Sequence, residues 1–126
     1  MLNTASLVGF VATANPAAAR HFYESVLGLA LTEDSPFALV FNANGTMLRV
    51  QKVQRVSPAA YTVLGWAVDD IRSTVRALAS KGVVFQRYEG LRQDELGIWQ
   101  APSGARVAWF RDPDGNTLSV SDANEA

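Results

Sequence analysis

The sequence predicts an α+β fold: two βαβββ modules in a pseudo-two-fold repeat, with curved mixed sheets enclosing a cavity and helices outside. Three observations carry this. Strand and helix cap recur in phase, since Val63 lies 55 positions after Val8 and Asp70 lies 55 after Asn15. The late turns match, Asn44-Gly45 in the first half and Asp114-Gly115 in the second. The run from Val107 to Val120 reads as strand, tight turn, strand. Its arms are apolar, and Asp112-Pro113-Asp114-Gly115-Asn116 suits a sharp reversal.

The first module occupies about residues 5–53 of a single 1–126 domain. Ser6 to Ala12 is a nearly continuous apolar run, as in a strand covered on both faces. Asn15-Pro16 supplies an N-cap and a first helical residue whose missing N–H costs nothing there. Ala19, Phe22, Tyr23, Val26 and Leu27 then follow at helical spacing, and Gly28 ends the helix. Leu29 to Glu33, Phe37 to Phe41 and Met47 to Val53 are the strands, with a break at Ser35-Pro36 and a hairpin at Asn44-Gly45.

Residues 54–60 form a linker, and the second module spans about 61–121. Tyr61 to Val68 is an apolar strand. Asp69-Asp70 caps a helix whose stripe is Ile71, Val75, Leu78 and Ala79, closed by Gly82. Val83 to Tyr88 reads as a strand, Glu89 to Glu95 as a polar loop and Gly97 to Gln100 as a short strand. Pro102-Ser103-Gly104 turns into the final hairpin. The last strand offers Thr117, Ser119 and Ser121 on one face, and the polar tail from Asp122 is expected to fray.

Composition narrows the function. The net charge is −1 with no basic block, so a nucleic-acid or membrane-surface partner has no electrostatic support. Cysteine is absent, which removes disulfides, thiolate nucleophiles and Cys-based metal sites. With 48% hydrophobic and 18% charged residues the chain carries enough apolar surface for a core. No apolar span is long enough for a bilayer, and the expected location is the cytoplasm.

Three segments carry a resemblance. Phe22-Tyr23-Glu24-Ser25-Val26-Leu27-Gly28-Leu29, Val68-Asp69-Asp70-Ile71 before Gly82-Val83, and Trp109-Phe110-Arg111-Asp112-Pro113-Asp114-Gly115-Asn116 resemble the vicinal-oxygen-chelate superfamily. That superfamily includes glyoxalase I, bleomycin- and fosfomycin-resistance proteins and extradiol dioxygenases. The resemblance covers nearly the whole chain and implies the fold more strongly than any one chemistry. It also implies a ligand cavity at the interface of a homodimer.

Metal-dependent members, as the resemblance implies, hold a divalent ion with His or Glu on the first and last strands of each module. Counting from the caps and late turns places Val8, Arg49, Val63 and Ser119 there. A slip of one residue gives Gly9, Leu48 or Val50, Leu64, and Leu118 or Val120, again without a carboxylate or imidazole. A divalent site needs three or more N or O donors, and Arg49 would repel a cation. No metal and no cofactor are therefore expected.

The other candidates each have a plain structural reading. His21, the sole imidazole, is expected at the surface beside Arg20. Asp112 and Asp114 read as turn formers rather than catalytic carboxylates, and Asp69 and Asp70 as a helix cap rather than a dyad. Arg49 is either a solvent-facing strand residue or an anchor for an anion or carbonyl inside the cavity. Ser119 either fills space or hydrogen-bonds a ligand. Among the aromatics Phe10, Tyr61, Trp66, Trp99 and Trp109, Trp99 and Trp109 flank the Pro102-Ser103-Gly104 turn and suit a pocket wall or a subunit contact.

The sequence thus points first to a metal-free, bleomycin-resistance-like binder of a small hydrophobic or aromatic molecule. Its expected pocket is Val8, Phe10, Arg49, Tyr61, Val63, Trp99, Trp109 and Ser119. A metal-dependent lyase, isomerase or dioxygenase of the same superfamily is the second reading, and a non-catalytic accessory or regulatory module the third.

Overall fold

The computed structural model describes residues 1–122. The chain forms two compact units, Met1–Pro58 and Ala59–Ala126. Each is built on a four-stranded mixed sheet.

In the first unit a single 3-10 turn, Leu2–Thr4, precedes β1 (Val8–Thr13). α1 (Pro16–Arg20) follows, then β2 (Ala30–Asp34), β3 (Ala38–Ala43) and β4 (Thr46–Lys52). The strand order is β1-β4-β3-β2, with β1 parallel to β4 and the other pairs antiparallel. The caps act as their chemistry dictates. Asn15 accepts a bond from the Ala18 amide at 3.3 Å, and the Thr13 hydroxyl accepts one from the Asn15 amide at 3.0 Å. At the β3–β4 turn both Asn44 and Gly45 have positive φ, 52° and 93°, the pair of left-handed residues that a type I′ hairpin requires.

The first helix departs from the expected single α-helix. After five residues it widens into a π-helical segment, His21–Val26, where the Leu27 amide reaches back to the Phe22 carbonyl. The segment still buries Phe22 and Tyr23. Tyr23 lies against Phe41 at a ring separation of 5.8 Å, over Leu39, Leu48 and Val50 on the same sheet face.

The second unit repeats the plan: β5 (Thr62–Ala67), α2 (Ile71–Ser80), β6 (Trp99–Gln100), β7 (Arg106–Arg111) and β8 (Thr117–Asp122). Its order is β5-β8-β7-β6, the same permutation as in the first unit. Asp70 caps α2 by accepting from the Ser73 amide at 3.2 Å. Ile71 and Val75 are buried, as are Ala108, Phe110, Leu118 and Val120 on the β7–β8 face that α2 covers. Asp112 shapes the final turn: its Oδ1 accepts from the amides of Asp114 and Asn116 at 2.9 and 3.0 Å.

Four expectations need correction. Residues 83–88 form no strand. One backbone bond, Gln86 amide to Trp109 carbonyl at 2.8 Å, ties them to β7, and the Gln93 side chain pairs two more of their backbone groups. Gln93 accepts from the Tyr88 amide at 2.8 Å and donates to the carbonyls of Gln86 and Gly97 at 2.8 and 2.9 Å. A side-chain amide thus does what a neighbouring strand was expected to do. β1 is covered on one face only, for Phe10 remains 51% exposed. Val63 falls at a register shift between Thr62 and Leu64, so the β5 projection slips past it. Asp122 is not frayed: it ends β8, fully buried, in an ion pair with Arg106. The rest of the tail lies outside the described residues.

Candidate functional site

Each sheet has a helix on one face and leaves its other face uncovered by that helix. The register places the candidate residues on the latter. In the first unit Phe10 lies opposite Arg49, and Arg49 opposite Val40. Val8 and its partner Met47 lie two residues along on the same face, as do Asn42 and Gln51. Arg49 is half-buried among these mostly apolar neighbours and forms no ion pair with a carboxylate among the described residues. Its guanidinium carries a planar fork of N–H donors. A cavity of about 190 Å³ in this unit is lined by Thr32, Val40, Phe41, Asn42, Gly45 and Met47.

In the second unit Ser119 sits between Gly65 on β5 and Trp109 on β7. Trp109 is the centre of an aromatic cluster. Trp99 lies 6.0 Å away at 34°, and Tyr88 meets it edge-on at 5.4 Å and 85°. The Trp109 indole N–H donates to the Thr62 hydroxyl at 3.2 Å, which fixes the ring's direction. Thr117 and Ser121 continue the polar row of Ser119, opposite Arg111 and Val107. The face therefore combines π surfaces with a line of small hydroxyls.

Of the expected pocket residues, the first unit gathers Val8, Phe10 and Arg49 on one face, and the second gathers Trp99, Trp109 and Ser119. Tyr61 precedes β5 and is 72% exposed, and Val63 occupies the bulge next to it. Trp66 pairs with Val120 and belongs to the α2 side. His21 is exposed, as expected. Tyr88 and Thr62 were missed. Tyr88 reaches Trp109 from irregular backbone, where no periodicity marks a facing direction. Thr62 gave a signal only in its β-prone neighbourhood.

Val8, Arg49, Val63 and Ser119 offer one hydroxyl and one cation between them, so this donor set does not fit a divalent ion. Among the described residues no three His, Cys, Asp or Glu side chains come together to hold a metal elsewhere. No helix among them is long and apolar enough to cross a membrane.

Two βαβββ units with one strand permutation define a two-module α+β protein. More particularly, the chain belongs to the Glyoxalase/Bleomycin resistance protein/Dioxygenase superfamily, whose family model matches residues 5–120. A comparison with curated proteins finds no match. Among solved structures the chain is similar to lactoylglutathione lyase from Agrobacterium tumefaciens, with a TM-score of 0.74 at 18% identity over 95% of this chain and 94% of that one. It is similar to TnmS3, an antibiotic binding protein from Streptomyces sp. CB03234, with a TM-score of 0.74 at 23% identity over 98% and 99%. A superfamily member from Sphaerobacter thermophilus DSM 20745 gives 0.75 at 21% identity over 97% and 99%. At these identities the likeness is one of fold.

Proposed function

We propose that this protein binds a small hydrophobic or aromatic molecule without a metal ion. The observation that carries the reading is the Trp99–Trp109–Tyr88 cluster on the sheet face opposite α2, bordered by Ser119 and Thr62. Flat π surfaces with a few fixed polar groups suit a planar ligand, which they hold by stacking and orient by hydrogen bonds. The first unit has an open face of its own, where Arg49 offers a donor fork to a carbonyl or an anion. TnmS3, an antibiotic binding protein, agrees with a binding role on this fold. Enzymatic turnover through a divalent ion would need donors that these faces do not supply. The exposed apolar side chains Val8, Phe10 and Met47 support a working homodimer.

Two measurements test this. Elemental analysis of protein purified without added metal should find no stoichiometric transition metal, and tightly bound zinc, nickel, iron or manganese would overturn the metal-free reading. A thermal-shift screen of planar aromatic compounds should give hits that raise the melting point and quench Trp emission. Hits whose affinity ignores both Trp109→Leu and Arg49→Ala would remove these faces from the binding site.

A further inference from the structure

The second unit holds another cavity, on the opposite side of its sheet. It is an open cavity of about 440 Å³ lined by Arg92, Asp94, Ile98, Gln100 and Arg106. Gln100 pairs with Arg106 across β6 and β7, one residue from the Trp99–Val107 pair, so their side chains point away from the tryptophan cluster. This cavity is separate from the aromatic face.

The charges around it do not cancel. The Asp94 carboxylate is committed to the protein. Its Oδ1 accepts from the amides of Leu96 and Ile98, both at 2.9 Å, and its Oδ2 accepts from Arg72 at 3.0 Å. Arg72 also holds Glu95 at 2.9 Å. Arg87 donates to the carbonyls of Asp94 and Glu95, at 2.8 and 3.0 Å, and so keeps its charge without a carboxylate. Arg106 pairs with the buried Asp122 through one terminal nitrogen, which leaves other donors of the fork. Arg92 forms no ion pair among the described residues. Four arginines thus stand against three carboxylates; of the two that line the cavity, Arg106 is paired with Asp122 and Arg92 has no ion pair among the described residues.

We propose that this cavity is a binding site for a small oxyanion, the carboxylate or phosphate group of a metabolite-sized molecule. Arg92 and Arg106 supply charge and paired donors, and the Gln100 amide supplies a neutral one. The volume falls in the range of small-molecule sites. The loop that carries Arg92 is already braced by Asp94, Gln93 and Arg87, so binding orders little new backbone.

The test is a titration of the whole protein with inorganic phosphate and, separately, with succinate at constant ionic strength. Binding is followed by amide chemical shifts of residues 92–106. Saturable shifts with either anion are expected, and which anion saturates tells phosphate from carboxylate recognition. Arg92→Gln, at an exposed position, should weaken binding about tenfold or more, the loss of one charge-assisted contact. Arg55→Gln, an exposed arginine in the first unit, should leave it unchanged. Linear, unsaturated shifts with both anions would overturn the proposal, as would equal loss in the two variants or none in Arg92→Gln.

Discussion

The hydroxyl of Ser119 lies 2.7 Å from the point that a Cβ on Gly65 would occupy. The two residues are paired across β5 and β8, and Trp109 flanks Ser119 on the other side. Gly65 is therefore the space that lets the hydroxyl stand on the open face. Gly65→Ala should cost about 1 kcal/mol, the low end for an inserted methyl, because the short Ser119 side chain can turn aside. Adding Ser119→Ala should recover most of that loss. A double-mutant cycle by urea denaturation reads the coupling, and additive effects would contradict the contact.

Gln93 stands in for a missing strand. Its amide satisfies the backbone of Gln86, Tyr88 and Gly97. Gln93→Ala should destabilise the protein by about 2–3 kcal/mol, since each half-buried backbone group loses its partner. Hydrogen exchange should accelerate first at the Tyr88 amide. Tyr88 carries one edge of the aromatic cluster, so Trp109 emission should shift toward that of water-exposed indole in the same variant.

Arg106 neutralises a carboxylate that has no exposure to water, that of Asp122. Arg106→Ala should cost roughly 2–3 kcal/mol in chemical denaturation. This is less than for a pair buried on both sides, because the arginine itself is partly solvated. The double change Arg106→Leu with Asp122→Leu should be much milder than the single one, since no charge is then stranded.

Acid should weaken two ties between distant segments. The hydrogen bond and charge of Lys52, with the charge of Arg20 adding, hold the Asp34 carboxyl below its ordinary 3.8. The hydrogen bond from Arg72 holds Glu95 below its ordinary 4.5. Lowered carboxyl values mean that the unfolded chain takes up protons first as pH falls. Their stabilisation is complete above those ordinary values and disappears as pH drops through the lowered folded ones. The melting-point gap between the native chain and a Lys52→Gln, Arg72→Gln variant should therefore be small and salt-sensitive at neutral pH. It should close as the pH falls below the ordinary carboxyl values and both groups protonate in the folded state too.

Local chemistry was legible wherever a residue acts on its own neighbours. Asn15 and Asp70 cap helices, Asn44-Gly45 turns a hairpin and Asp112 folds the last turn around its own carboxylate. The alternation along the last strand put Thr117, Ser119 and Ser121 on one face, and the register sets Trp109 beside Ser119 there. Legibility ended where partners come from afar. Val83 to Tyr88 has strand composition, yet a glutamine amide takes the place of a neighbouring strand. The helical stripe through Phe22 and Tyr23 fits an α-helix as well as the π-helical segment that forms, because both present those rings to the sheet.

The sequence by itself determined the repeat, the turns, the caps and the lack of metal-ligand side chains at the four projected positions, because each depends on residue type and short spacing. Only the tertiary structure decided that Tyr88 and Thr62 join Trp109, that a bulge takes Val63 out of the β5 register, and that Arg92 and Arg106 line one cavity. These depend on strand pairing and on loops whose paths are set by hydrogen bonds between residues far apart in the chain, and no local periodicity encodes such bonds.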